Sequence, residues 1–309
     1  MLKEFAVDPN VIASSWETCR YLVSQFGADK GRLISKYPNS WKKKAFRKAD
    51  ELPDGRKKEQ VFEYINSLGS DWLTLISSNR DYISPSEPWL TNARMVHEIS
   101  PFSAILCNQE DPKNQLIDAN TCDENNPLFA TNRTLAVNRN ANELAQVASL
   151  IVKNCRRLRL IDPYFDPRRP KWRNPLAAML ALIPDISRVE CEFHLLDRDN
   201  SPPTKDLILH LSQLKGVIPE PGALRIIRWR EHEGGERFHR RYLLTENAGL
   251  SYEGGLDEEA GANQTTDVSL LDQSHHSARW EEYNLESQTY DLIKPVLVVD
   301  FDGNVTQEL

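Results

Sequence analysis

His239 and Arg241 stand two residues apart in the run Arg237-Phe238-His239-Arg240-Arg241-Tyr242-Leu243-Leu244-Thr245-Glu246, and a glycine turn, Gly254-Gly255-Leu256-Asp257, follows. An imidazole beside a fixed cation suits an anionic phosphate ester: the ring acts as nucleophile or base, and the guanidinium forks onto phosphate oxygens. The apolar residues of the run predict a strand from Phe238 to Leu244. Alternate side chains of a strand share a face, so His239 and Arg241 would project together while Phe238, Tyr242 and Leu244 fill the other side.

These residues resemble the signature of the phospholipase D superfamily, the HKD enzymes. That signature is histidine, any residue, lysine, four residues, aspartate, six residues, then glycine, glycine or serine, any residue and asparagine. His239 matches it, Arg241 stands in the lysine position, and Glu246 stands in the aspartate position after the right gap. Gly254 and Gly255 come one residue late, and Asp257 replaces the asparagine. The run is most similar to the divergent branch at the C-terminus of MIT-domain proteins, regarded as phosphate- or lipid-binding modules. The resemblance covers Asn140 to Asp302. It implies a phospholipase D-like mixed sheet flanked by helices and a metal-independent phosphodiesterase or nuclease site that needs no cofactor. His239 would be the nucleophile, Arg241 the phosphate clamp and Glu246 a supporting acid. With one motif per chain, a complete centre would pair two copies in a symmetric dimer. Prokaryotic proteins of this look are often components of multi-protein defence systems against foreign nucleic acid, which implies nucleic acid and protein partners. A non-catalytic adaptor that recognises phosphates in nucleic acid or lipid headgroups is the alternative.

Ile161-Asp162-Pro163-Tyr164-Phe165-Asp166-Pro167 ends another expected strand, at the edge where α/β sheets place ligands. Asp162 would orient His239 and Tyr164 would stack on a ligand; a plain strand-to-loop turn fits the same residues equally well. Arg168, Arg169, Lys171 and Arg173 then surround Trp172, a composition that suits a nucleic-acid strand. One of the pair His275-His276, in an expected loop near the end of this region, could supply the second, acidic histidine that a single motif lacks.

A basic block sits far from this motif. Eleven Lys and Arg lie between Lys30 and Lys58 against three acids, so that stretch carries about +8 within a chain of net charge −7. Lys42, Lys43, Lys44, Arg47 and Lys48, interleaved with Trp41 and Phe46, are candidates for contacts to a nucleic-acid backbone. An anionic membrane surface, an acidic partner or a solvated helix face would use the same charges.

The elements that must position these groups read as α/β. Region 1–107 reads as mainly helical and basic, with helices over Val11–Phe26, Asp29–Tyr37, Ser40–Ala49 and Lys58–Leu68 and a short element from Asp71 to Ile76. Region 108–139 is rich in Asn, Asp, Gln and Pro and reads as a polar connector. Region 140–309 alternates: a helix over Asn140–Asn154, strands at Arg157–Asp162, Val189–Leu196, Leu224–Trp229 and Phe238–Leu244, and helices at Pro175–Ile183 and Thr204–Leu214 between them. That order argues for a mostly parallel sheet with later antiparallel additions.

Bulk properties narrow the classes further. Hydrophobic content of 40% and charged content of 27% are ordinary for a globular protein. No apolar run approaches the ~20 residues of a membrane span, so a cytoplasmic address is expected. Five scattered cysteines make no C-x-x-C pair, which excludes a zinc ribbon and leaves no metal expected. P-loop, G-x-S-x-G, dinucleotide-binding and H-E-x-x-H patterns are missing.

Overall fold

Lys3–Val7 forms β1, and its last three side chains, Phe5, Ala6 and Val7, are fully buried. Such a strand is covered on both faces, as parallel sheets between helices are. The computed structural model describes residues 1–69, 72–259, 261 and 264–308, which divide into two units, Met1–Arg133 and Thr134 onward.

In unit 1, α1 (Pro9–Ile12) and α2 (Trp16–Gln25) follow β1, then β2 (Arg32–Lys36), α3 (Trp41–Asp50), α4 (Arg56–Ser67), β3 (Leu75–Ser77), α5 (Trp89–Ile99), β4 (Ala104–Cys107) and β5 (Leu116–Asp118). The strands form one parallel sheet in the order β3-β2-β1-β4-β5. Parallel neighbours need crossover connections, most of which the helices supply. Ser15 caps α2 by accepting from the Thr18 amide at 3.0 Å. Helix α3 buries Trp41, Ala45 and Ala49, one stripe at four-residue spacing, and the Trp41 indole donates to the Val7 carbonyl at 2.6 Å. Phe46 on the same helix stacks on Phe62 of α4 with centroids 5.5 Å apart.

This unit corrects two expectations. The mainly helical first region is built on a five-stranded sheet, and Asp29–Tyr37, expected as a helix, holds β2. Strands of three to five residues with continuous apolar runs have no period of their own, and Leu33, Ile34 and Tyr37 fit a helical spacing as well as a strand. The 108–139 connector also does not stand apart. Its β5 completes the sheet, and Phe129 is fully buried against Phe5 and Phe26 at 5.5 and 5.9 Å. Asp71, where the short element was expected to start, lies outside the described residues.

Unit 2 opens with β6 (Thr134–Asn138), α6 (Ala141–Gln146), α7 (Ser149–Val152), β7 (Arg157–Ile161), α8 (Pro170–Leu180), β8 (Glu190–Leu196), α9 (Thr204–Leu211) and β9 (Ala223–Arg230). It continues with β10 (Tyr242–Thr245), β11 (Ala248–Tyr252), β12 (Thr265–Leu270), α10 (Gln273–Glu282), β13 (Asp291–Asp300) and β14 (Val305–Glu308). One mixed sheet runs β14-β13-β9-β8-β7-β10-β11-β12-β6, with β7, β8 and β9 parallel at its centre and the remaining pairs antiparallel. The expected α/β class holds: one parallel and one mixed sheet, each with helices. The single helix expected over Asn140–Asn154 is divided at Val147-Ala148 into α6 and α7.

The central strands carry a buried charge network. Arg159, Glu192 and Arg225 lie in register across β7, β8 and β9, so their side chains share a face. Glu192 takes Arg159 Nε on one oxygen and Arg225 Nη1 on the other, both at 2.9 Å. His194 Nε2 lies 3.2 Å from Glu192, and the Trp229 indole donates to His194 Nδ1 at 3.0 Å. That acceptor role assigns the proton to Nε2 and leaves the ring neutral, in keeping with burial, which pushes the His194 pKa down. Burial opposes ionisation of Glu192, yet the His194 bond and the two guanidiniums hold its carboxyl well below the usual range. Arg159 also lies over the Trp280 ring at 3.9 Å. Among the described residues, no helix is long and apolar enough to cross a membrane.

Candidate functional site

The motif segment is not a strand where its chemistry was expected. Strand β10 begins at Tyr242, and residues 237–241 form an extended lead-in. The cause lies in Phe238. It is buried, meets Tyr283 and Tyr290 edge-on at 5.4 and 5.2 Å, and its amide donates to the Glu231 side chain at 2.8 Å. His239 folds back on the segment, its amide and its Nδ1 lying 3.1 and 3.0 Å from the Arg237 carbonyl. The imidazole is exposed.

Arg241 continues the sheet line, its carbonyl accepting from the Tyr252 amide at 3.0 Å. Extending the β10–β7 register by one residue places it opposite Asp162, at the carboxyl end of β7. Its guanidinium has thin internal bonding. Nη1 donates to the Glu253 carbonyl at a long 3.3 Å, Cζ lies 5.1 Å from the Tyr164 ring centroid, and the buried Nε has no partner among the described residues.

Asp162 is fully buried and ties two loops together. One carboxylate oxygen accepts from the Tyr164 amide at 2.9 Å and the other from the Leu256 amide at 3.0 Å. Burial pushes its pKa up to about 6; the two amides and Arg241 act against that, and nearby Asp257 adds to it. The turn that supplies Leu256 depends on Gly255. Its φ of +114° lies in the region that favours glycine, and a Cβ there would sit 2.7 Å from Asp257 Oδ1 and 3.4 Å from Asp162 Oδ2. Asp257 is itself held by Arg139 and by Lys171 Nζ at 2.5 Å.

The structure brings some of the candidate residues together and leaves others apart. Asp162, Tyr164 and Arg241 come together, with the turn of Asp257 and Lys171 behind them. Glu246 does not join them. It lies at the far end of β10, roughly 15 Å along an extended strand from Arg241. There it accepts from the Arg156 and Arg157 amides at 2.8 and 3.0 Å, fixing the entry to β7. Arg168 and Arg169 both pair with Asp166, at 2.9 and 3.3 Å, though their side chains remain exposed. His276 is a core histidine, 2.8 Å from the Thr245 carbonyl and stacked on Trp280. His275 packs edge-on to Tyr242 at 6.3 Å. Tyr242 points to the α10 side of the sheet and Arg241, its neighbour, to the other, so neither histidine reaches the Arg241 site within one chain.

The basic helix α3 belongs to unit 1. Lys42 Nζ donates to the Asn66 carbonyl at 3.0 Å, Lys48 pairs with Glu51 at 2.6 Å, and Lys44 sits over Tyr82 at 5.2 Å. Lys43 and Arg47 are exposed. The sequence reading missed Arg139 and Arg198. Nothing in spacing marks Arg139. Arg198 follows the end of β8, where the rule for ligand positions in α/β sheets would have found it. Among the described residues, no group of three His, Cys, Asp or Glu side chains is placed to hold a metal ion.

No family model matches the chain, and no curated protein matches it. Among solved structures, TrmBL2, an archaeal chromatin protein with a novel mode of DNA binding, is similar at 13% identity and a TM-score of 0.29, over 52% of this chain and 55% of its own. Polyphosphate kinase from Porphyromonas gingivalis is similar at 10% identity and a TM-score of 0.33, over 51% of this chain and 27% of its own. The chain thus spans about half of the one and about a quarter of the other.

Proposed function

We propose that unit 2 is a phospholipase D-like module that recognises a phosphodiester, with a nucleic-acid strand as the source of that phosphate. The observation that carries this reading is Arg241: a cation at the sheet edge with one long hydrogen bond, an unpartnered Nε and an exposed histidine two residues away. A guanidinium left so open is matched by an oxyanion, which takes two of its N–H groups at once. Asp162 and Gly255 position the surrounding turn. Lys43 and Arg47, exposed on unit 1, are separate candidates for contacts to a nucleic-acid backbone.

Recognition is favoured over cleavage because Glu246 and the His275-His276 pair serve the fold elsewhere. Turnover, if it occurs, needs a second histidine from another copy of the chain, and His239 is then the nucleophile.

The test is binding and cleavage of labelled single-stranded DNA, duplex DNA and RNA in EDTA, beside vesicles with anionic headgroups. Arg241→Ala is expected to weaken nucleic-acid binding about 10- to 100-fold, the worth of a charge-assisted bond, and wild-type affinity should fall steeply with salt. Affinity unchanged by Arg241→Ala would sink the reading. Cleavage lost in His239→Ala would extend it to an enzyme, and tighter binding to vesicles would move the phosphate from nucleic acid to lipid.

A further inference from the structure

A cleft opens at the carboxyl ends of β7 and β8, lined by Tyr164, whose other neighbour is Arg241, and by Arg198, Asn200, Ser201, His210 and Arg228 among others. It encloses about 210 Å³. Pockets for drug-sized ligands run to ~300–1,000 Å³, so this one suits a single ring system. Tyr164 leaves 46% of its surface open, an unusual share for so large an apolar ring, and Arg198 Cζ lies 4.4 Å from its centroid. An aromatic ring paired with a guanidinium plane is the surface on which unstacked bases are held.

The polar side of the cleft is underpartnered in the same way. Arg228 is 3% exposed, yet its Nε has no partner among the described residues. Its Nη atoms reach the Thr204 hydroxyl at 3.1 Å and the Pro295 carbonyl at a long 3.4 Å. Asp197, the nearest acid, stands 4.0 Å away and is engaged by Arg230 at 2.7 Å. A buried cation with weak bonding is costly unless something supplies an acceptor, and the ring nitrogens and carbonyls of a nucleobase are acceptors. Asp166, the other acid on the cleft wall, is held by Arg168 and Arg169.

We infer that this cleft receives the nucleobase next to the phosphate held by Arg241, with Tyr164 and Arg198 as the stacking platform and Arg228 at the base edge. The inference rests on the phosphodiester reading and deepens it: the ligand is a nucleotide unit, read through one base. Tyr164 bridges the two parts, since its ring meets both Arg198 and Arg241.

The experiment compares a labelled single-stranded oligonucleotide with the same backbone made abasic, using the full chain. Wild type is expected to bind the intact strand about 10-fold more tightly. Arg198→Gln should bring that ratio towards one while abasic binding stays within a few-fold. Arg241→Ala should weaken both strands alike. Equal wild-type binding of the two strands overturns the cleft assignment and leaves the phosphodiester reading standing. Binding of neither overturns both. Tighter binding of a soluble inositol phosphate than of either strand overturns the nucleobase assignment in favour of a lipid headgroup.

Discussion

Replacing Glu192 with leucine is expected to destabilise unit 2 by about 3–5 kcal/mol, the loss typical of breaking a buried ion pair from one side. The variant leaves Arg159 buried with its opposing charge removed, takes one of the acceptors from Arg225, and deprives His194 of its Nε2 partner. Urea unfolding followed by tryptophan fluorescence reads this directly, because Trp229 and Trp280 both touch the network. A midpoint within about 1 kcal/mol of wild type would mean the network is incidental. Replacing Arg159 and Glu192 together by apolar residues should recover much of the loss, since the desolvation of both charges then disappears. The network also sets an acid limit. Glu192 has a depressed pKa in the folded state, so its contribution is present above the unfolded carboxylate range and is lost as pH falls below about 4.5.

Asp162→Asn is expected to change how stability and binding respond to pH, in a separate window. The folded Asp162 carboxyl titrates at about 6, above its ordinary value of 3.8, with burial as the main cause. Between those values the folded state binds more protons than the unfolded one, so this group makes unit 2 more stable as pH falls through 6 and less stable as pH rises. A shift of about two units corresponds to at most about 3 kcal/mol. Wild type should therefore gain melting temperature between pH 7 and pH 5, and the asparagine variant should not. Protonation also removes a negative charge facing Arg241, so affinity for dimethyl phosphate, whose single charge is constant from pH 5 to pH 7, should rise over the same interval in wild type only. Identical pH profiles for the two proteins would refute the assignment.

The architecture was legible where pattern and length agreed. The three parallel strands of unit 2 announced themselves as β-branched or leucine-rich runs between helical segments, and α3 and α4 by an apolar stripe among lysines. Strands β1, β4 and β5 did not, because three to five buried residues carry no period that separates strand from helix. Of the candidate site, the residue types could be read from the sequence but not their placement. His239 and Arg241 are two residues apart as read, yet burial of Phe238 takes them off the strand, and Glu246 keeps its spacing while serving the opposite end of the sheet. The buried network left a clue that went unread. Arg157-Leu158-Arg159, Glu190-Cys191-Glu192-Phe193-His194 and Arg225-Ile226-Ile227-Arg228 put charges inside apolar strands, and a charge inside a central strand must find a partner in the next one.

Strand β6 comes first in its unit and ends up outermost in its sheet, paired with β12, whose residues come about 130 positions later. During synthesis Thr134–Asn138 therefore waits for most of the unit to emerge before its partner strand exists. A fragment started at Asn140, where the sequence alone suggests a boundary, would carry the open flank of β12 permanently. The bare N–H and C=O groups of β12 are a template for another chain. What reads as five trailing residues of a polar connector thus covers the flank of β12 and becomes the edge strand in its place.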